Sequence, residues 1–182
     1  MSIHACLDFV DVAYKVCSAF DRNSVVAVLV GGGAATFYAP QAYETKDLDF
    51  VLHLELFGLP DVSVLTGLGY RPSRTAGTYE HPQSPFTLEI LQGPLAAGGE
   101  TLYEWDTHRK ARLVLHVIKA EDSVKDRLAH AIHNGDPNAA KQAAEVAKRH
   151  SVDMAEVRAW CEEEGGLSAY GVFAAFVAQT HE

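Results

Sequence analysis

The stretch VVAVLVGGGAATFYAPQAYETKDLDFVLH, Val25–His53, decides how this chain is read. Val25–Val30 is an unbroken apolar run, mostly β-branched, the pattern of a buried strand, and it runs straight into Gly31-Gly32-Gly33. Ala34–Ala39 suits a short helix closed by Pro40. Asp47–Leu54 (DLDFVLHL) then reads as a second strand. Side chains two apart on a strand project from one face, so Asp47 and Asp49 stand side by side. Carboxylates held this close repel unless a cation lies between them. A hard divalent ion answers that need, and Mg²⁺ is the usual one where phosphates take part. Glycines between a strand and a helix, in turn, let backbone N–H groups approach an anion at the helix N-terminus.

Outward from this stretch, residues 3–19 show helical spacing through Ile3, Leu7, Val10, Tyr14 and Cys17. Residues 60–68 suit a short helix, and 71–86, with its prolines, reads as loop apart from an extended piece near Tyr79. Phe86–Leu91 (FTLEIL) alternates as a strand, QGPLAAGGE reads as loop, and Ala111–Ile118 gives one more strand. From residue 122 helix formers dominate, with starts at Ser123, Pro137, Asp153 and Ser168. The expected fold class is α+β. A small mixed sheet flanked by helices occupies 1–120, and a C-terminal helical bundle, 121–182, packs on it. Glu89 points away from Leu88 and Ile90. If its strand lies beside Asp47–Leu54, Glu89 would complete a two-metal site as the third carboxylate; a plain surface position on an edge strand is an equal alternative.

The composition narrows the classes. The chain has 182 residues and a net charge of −9, which argues against non-specific coating of nucleic acid. No apolar run reaches the ~20 residues that span a bilayer, so no membrane partner is expected. Asp8 and Asp11 interrupt the apolar N-terminal stretch, unlike a secretory signal. Cys6, Cys17 and Cys161 form no CxxC pair, so the expected compartment is the reducing cytoplasm.

Gly32-Gly33, thirteen residues, then Asp47-Leu48-Asp49-Phe50 resembles the glycine pair and DxD motif of the nucleotidyltransferase superfamily, with its DNA polymerase β-like fold. DSVKDRLAHAIHNGDPNAAKQAAEVAKRHSVD, from Asp122, resembles the helical part of small bacterial nucleotidyltransferase-like proteins of unassigned function. Those are relatives of the AbiEii-type abortive-infection toxins, and the likeness spans roughly residues 25–155. The resemblance implies that Gly32, Gly33 and Thr45 contact a nucleoside triphosphate and that Asp47, Asp49 and Glu89 hold Mg²⁺ or Mn²⁺. It implies transfer of a nucleoside monophosphate to an acceptor hydroxyl on RNA or tRNA, a protein or a small molecule, in a chain that is itself a candidate toxin–antitoxin component with an antitoxin partner. It also makes Lys125 the phosphate-binding lysine.

The residues alone place Lys125 and Arg127 at the two borders of a stripe formed by Val124, Leu128, Ala131 and Ile132, with their heads at the edge of the core. Arg109, Lys110, Arg112 and Lys119 add a local basic excess suited to a polyanion. Pairing of Lys125 and Arg127 with neighbouring acids is an equal alternative. Two other functions compete with nucleotidyl transfer. One is a catalytically silent module that keeps the fold for interaction. The other is a Rossmann-type dinucleotide binder, disfavoured because Thr36 takes the third glycine position. No GK[ST] follows the glycines, so a P-loop is excluded.

Overall fold

A computed structural model of the chain describes residues 3–4, 7–40, 42, 45–53 and 61–179. The protein is of mixed α and β structure, as expected, and divides into two compact units. The first comprises Met1–Val30, Lys46–Leu95 and Trp105–Val117, and the second Gly31–Thr45, Ala96–Glu104 and Ile118–Glu182. The division does not follow the boundary at residue 120 suggested by composition, because 31–45 and 96–104 join the C-terminal helices.

The first unit carries α1 (Phe9–Asp21) and a seven-stranded sheet. The helix starts six residues later than the apolar spacing predicts. The Asp8 carboxylate accepts the Asp11 N–H at 2.7 Å, and an aspartate contributes more as a cap than inside a helix. Val12, Val16 and Phe20 are fully buried. The strands are β1 (Val26–Val30), β2 (Asp47–His53), β3 (Arg71–Pro72), β4 (Thr78–Glu80), β5 (Thr87–Leu91), β8 (Asp106–Lys110) and β9 (Leu113–Val117), in the order β3-β4-β5-β2-β1-β9-β8. The sheet is mixed: β1 runs antiparallel to β2 and parallel to β9, and β2 runs parallel to β5. A short helix, α3 (Ser63–Gly67), lies within the expected 60–68; Leu54 and residues 55–60 fall outside the described residues.

β8 was not legible in the sequence, since DTHRK has no apolar alternation and only Thr107 favours a strand. It forms because Ala111, at φ 54°, and Arg112 turn the chain back so that Lys110 pairs with Leu113. The expected strand from Ala111 therefore begins at Leu113.

The second unit holds α2 (Gly31–Tyr38), α4 (Ala120–Asn134), α5 (Pro137–Arg149), α6 (Met154–Glu163), α7 (Leu167–Ala178) and a ribbon of β6 (Ala96–Ala97) and β7 (Glu100–Thr101). α2 begins at the glycines rather than at Ala34. Gly31 turns the chain at φ 65°, a conformation only glycine takes without strain. α4 starts at Ala120, and Ser123, expected as its cap, is a fully buried residue of its first turns. α5 starts at Pro137 and α6 is capped by Asp153, as the sequence predicts; Asp136 caps α5, accepting the Asn138 N–H, and Asp153 accepts those of Ala155 and Glu156. α4 packs against α2, α5, α6, α7 and β6. The ribbon replaces the loop expected in QGPLAAGGE, with Gly98-Gly99 as its two-residue turn. No helix among the described residues is long and apolar enough to cross a membrane.

Ser18 ties α1 to β9 through both polar groups of one backbone position. Ser18 Oγ donates to the Val114 carbonyl at 3.2 Å and accepts the Val114 N–H at 2.8 Å. The Ser18→Ala variant leaves two buried backbone groups without that partner and is expected to lose about 1–3 kcal/mol of stability in urea titrations, with an unchanged m-value.

Candidate functional site

Register decides what the first unit offers. Asp49 of β2 stands opposite Glu89 of β5, and Asp47 opposite Thr87. Paired residues of neighbouring strands share a face, so Asp47, Asp49 and Glu89 project together while Leu48, Phe50, Leu88 and Ile90 are buried on the other side. Val30 of β1 and Thr78 of β4 extend this face beside Asp49 and Glu89. Asp47 and Glu89 are exposed and Asp49 is half-buried. Thr87 Oγ1 donates to Asp47 Oδ1. Thr87 was absent from the sequence reading, yet its place two residues before Glu89 already put it on the same face.

The donor set is three carboxylates and a threonine hydroxyl, all hard oxygens, and its chemistry suits Mg²⁺. Among the described residues, no three His, Cys, Asp or Glu side chains are gathered tightly enough to hold one ion as they stand. The three share a face and neighbouring strands, and holding one ion requires their rotamers to close inward.

The second unit assembles a different cluster. Gly32, half-buried in the first turn of α2, faces both Thr45 and Arg127. A Cβ on Gly32 would lie 3.7 Å from Arg127 Nη1 and 3.9 Å from Thr45 Oγ1. Gly33 is buried, and Thr36 Oγ1 donates to the Gly32 carbonyl at 2.9 Å. Arg127 donates through Nε and Nη2 to Asp126 Oδ2 at 3.0 and 2.9 Å. That fork directs the remaining nitrogen, Nη1, toward Gly32.

Lys125 does not sit at the border of its helix face. It is 3% exposed, and its ammonium donates to Glu156 Oε1 at 2.8 Å and Glu100 Oε2 at 3.2 Å. Burial alone would lower its pKa, but the bonds to Glu156 and Glu100 outweigh that and hold it above the usual lysine value. Glu156 is held below the usual carboxylate range by Lys125. The ion-pair alternative thus describes Lys125. Other members of the basic excess are similarly answered, Lys110 by Asp11 and Lys119 by Glu104. Neither Glu100 nor Glu156 could be matched to Lys125 from the sequence, because both reach it across tertiary distance.

Family models, curated proteins and solved structures were all compared with the chain, and none matches.

Asp122, one helical turn before Lys125, has its carboxyl pushed up to about 6 by burial, with Lys125 opposing the rise and Glu100 reinforcing it. Because the folded value lies above the ordinary one, the protonated group's favourable contribution is complete at low pH and is lost as pH rises through about 6. Asp122→Asn removes that loss. Thermal melts should show the variant more stable by a few degrees at pH 8, with the difference gone below about pH 4.

Proposed function

We propose that this protein is a metal-dependent nucleotidyltransferase that takes a nucleoside triphosphate as donor and Mg²⁺ or Mn²⁺ as cofactor. The observation that carries the reading is the in-register opposition of Asp49 and Glu89 with Asp47 on the same face. The convergence of Gly32, Thr45 and Arg127 supports a phosphate-binding role for the second cluster.

In this reading an acceptor hydroxyl attacks the α-phosphorus of the triphosphate. A new phosphorus–oxygen bond forms, the bond to the bridging oxygen of the β-phosphate breaks, and pyrophosphate leaves. The hydroxyl proton passes to one of the three carboxylates or to water. Asp47, Asp49 and Glu89 would hold the divalent cation, which would supply charge neutralisation at the transferred phosphoryl group. Arg127 Nη1 and the N–H groups at the start of α2 bind phosphate oxygens, and Thr45 adds a hydroxyl donor. The acceptor in this reading is an RNA or tRNA end, a protein side chain or a small molecule. A silent interaction module is the second reading. It is favoured by α7, which carries no charged residue, buries only Phe173 and exposes Leu167 and Val172.

Each labelled triphosphate, incubated with Mg²⁺ and with bulk tRNA or the protein itself as acceptor, tests the transfer. At least one triphosphate should raise the melting temperature only when magnesium is present. Asp49→Asn should retain its fold but lose about 10³-fold or more of the activity and all of the magnesium-dependent stabilisation.

Gly32→Ala separates fold from binding. Its Cβ meets only ordinary contacts, and alanine is the better helix former, so stability should hold or rise by up to about 1 kcal/mol while triphosphate affinity falls. A wild-type melting temperature indifferent to every magnesium triphosphate overturns the enzyme reading in favour of the module.

A further inference from the structure

We propose that Arg71 binds a phosphate group of the acceptor, so that the hydroxyl this protein modifies belongs to a molecule carrying a phosphate close to that hydroxyl. The proposal rests on the transferase reading and names the substrate class of the same face.

Strand register places Arg71 on that face. It stands opposite Glu80 across the β3–β4 pair, Thr78 of β4 stands opposite Glu89 of β5, and Glu89 stands opposite Asp49. Residues opposite each other, or two apart on one strand, share a face. Arg71, Glu80, Thr78, Glu89, Asp49 and Asp47 therefore project from one side of the sheet. This rim is open to solvent: Arg71, Glu80, Glu89 and Asp47 are exposed and Thr78 is half-buried. The whole row lies within the first unit.

The guanidinium is uncommitted. Glu80 is its cross-strand neighbour, yet Arg71 has no hydrogen-bond or ion-pair partner among the described residues. Its planar fork of five N–H donors matches phosphate oxygens. β3 lies two strand spacings, about 10 Å, from β5. The arginine stem spans part of that gap, and a guest that reaches from the carboxylates to the guanidinium fills the rest.

Position selects the acceptor rather than the donor. β2, with Asp47 and Asp49, has β1 on one side and β5, β4 and β3 on the other. β1 ends at Val30, opposite Asp49, and the glycines assigned to the triphosphate follow it in the chain. Phosphoryl transfer keeps the attacking and leaving oxygens roughly in line. Pyrophosphate that departs on the β1 side puts the acceptor hydroxyl on the β5 side, with Arg71 farther out in the same direction. A phosphate at that distance from the hydroxyl pairs with the guanidinium, whereas a neutral alcohol or an unmodified protein side chain leaves it unused. The terminal nucleotide of an RNA and a phosphorylated sugar share this chemistry.

The ¹⁵N-labelled full-length protein, with MgCl₂ and no triphosphate, is titrated with cytidylyl-(3′→5′)-adenosine, with ribose 5-phosphate and with adenosine. The Arg71 Nε–H resonance is assigned by its loss in Arg71→Gln. At least one of the two phosphate-bearing probes should shift it saturably at millimolar concentration, and adenosine should not; the tighter probe tells an RNA end from a small molecule. In transfer assays with bulk tRNA and with ribose 5-phosphate, Arg71→Gln should raise the KM of the acceptor that is used about three- to tenfold and leave the triphosphate KM unchanged, with Arg71→Lys recovering part of the loss. An Arg71 resonance unmoved by both phosphates, or moved equally by adenosine, overturns the proposal while any observed transfer still stands. So does a rise in the triphosphate KM of Arg71→Gln, which assigns the side chain to the donor. A wild type that uses no triphosphate overturns the transferase reading, and this proposal with it.

Discussion

The register of β2 between β1 and β5 is the constraint on which the first unit depends. Val30 pairs with Asp49 and Asp49 with Glu89, so a slip of one residue would turn Asp47 and Asp49 into the space now filled by Leu48 and Phe50. The cost of burying two unpaired carboxylates there far exceeds that of any surface rearrangement. Leu48, Phe50 and Leu88, all fully buried, hold this register from one face, and the carboxylates occupy the other as a consequence. The acidic face is thus a product of core packing as much as of any ligand.

In the second unit the organising element is α4. Its Val124 and Leu128 are fully buried, and the helix presents Arg127 to Gly32 and Lys125 to Glu100 and Glu156. Two cations two residues apart on one helix therefore end in opposite circumstances. Arg127 keeps a nitrogen aimed at the start of α2, while Lys125 is consumed by acids from β7 and α6. A planar five-donor guanidinium can serve Asp126 and still face elsewhere, whereas a compact ammonium between two carboxylates is committed to them.

Elements with a strong period or a strong cap were legible before any coordinates. β1, β2 and β5 follow from apolar runs and alternation, and α5 and α6 follow from Pro137 and Asp153. The shared face of Asp47, Asp49 and Glu89 was readable too, because strand parity places residues without tertiary knowledge. The misses have a common cause. β8 and the β6–β7 ribbon are strands by virtue of their partners and turns, with no pattern of their own. α1 and α4 began elsewhere because the apolar stripe marks which residues face the core and says less about where the first hydrogen bond closes. Lys125 was placed at a border because a helical wheel cannot show that Glu100 and Glu156 would make its burial tolerable.

The sheet's two outermost strands have a consequence for how the protein behaves when many copies meet. An open sheet exposes a row of unpaired backbone groups at each rim, a template on which another chain can zip. Here one rim is β3, only Arg71 and Pro72, where a proline withholds its N–H and the strand ends almost as it begins. The other is β8, DTHRK, where charge accumulates along the strand. Residues that made these strands hard to foresee are the same ones that make them poor templates, so crowding should drive this fold toward assembly through its side-chain surfaces rather than through strand addition.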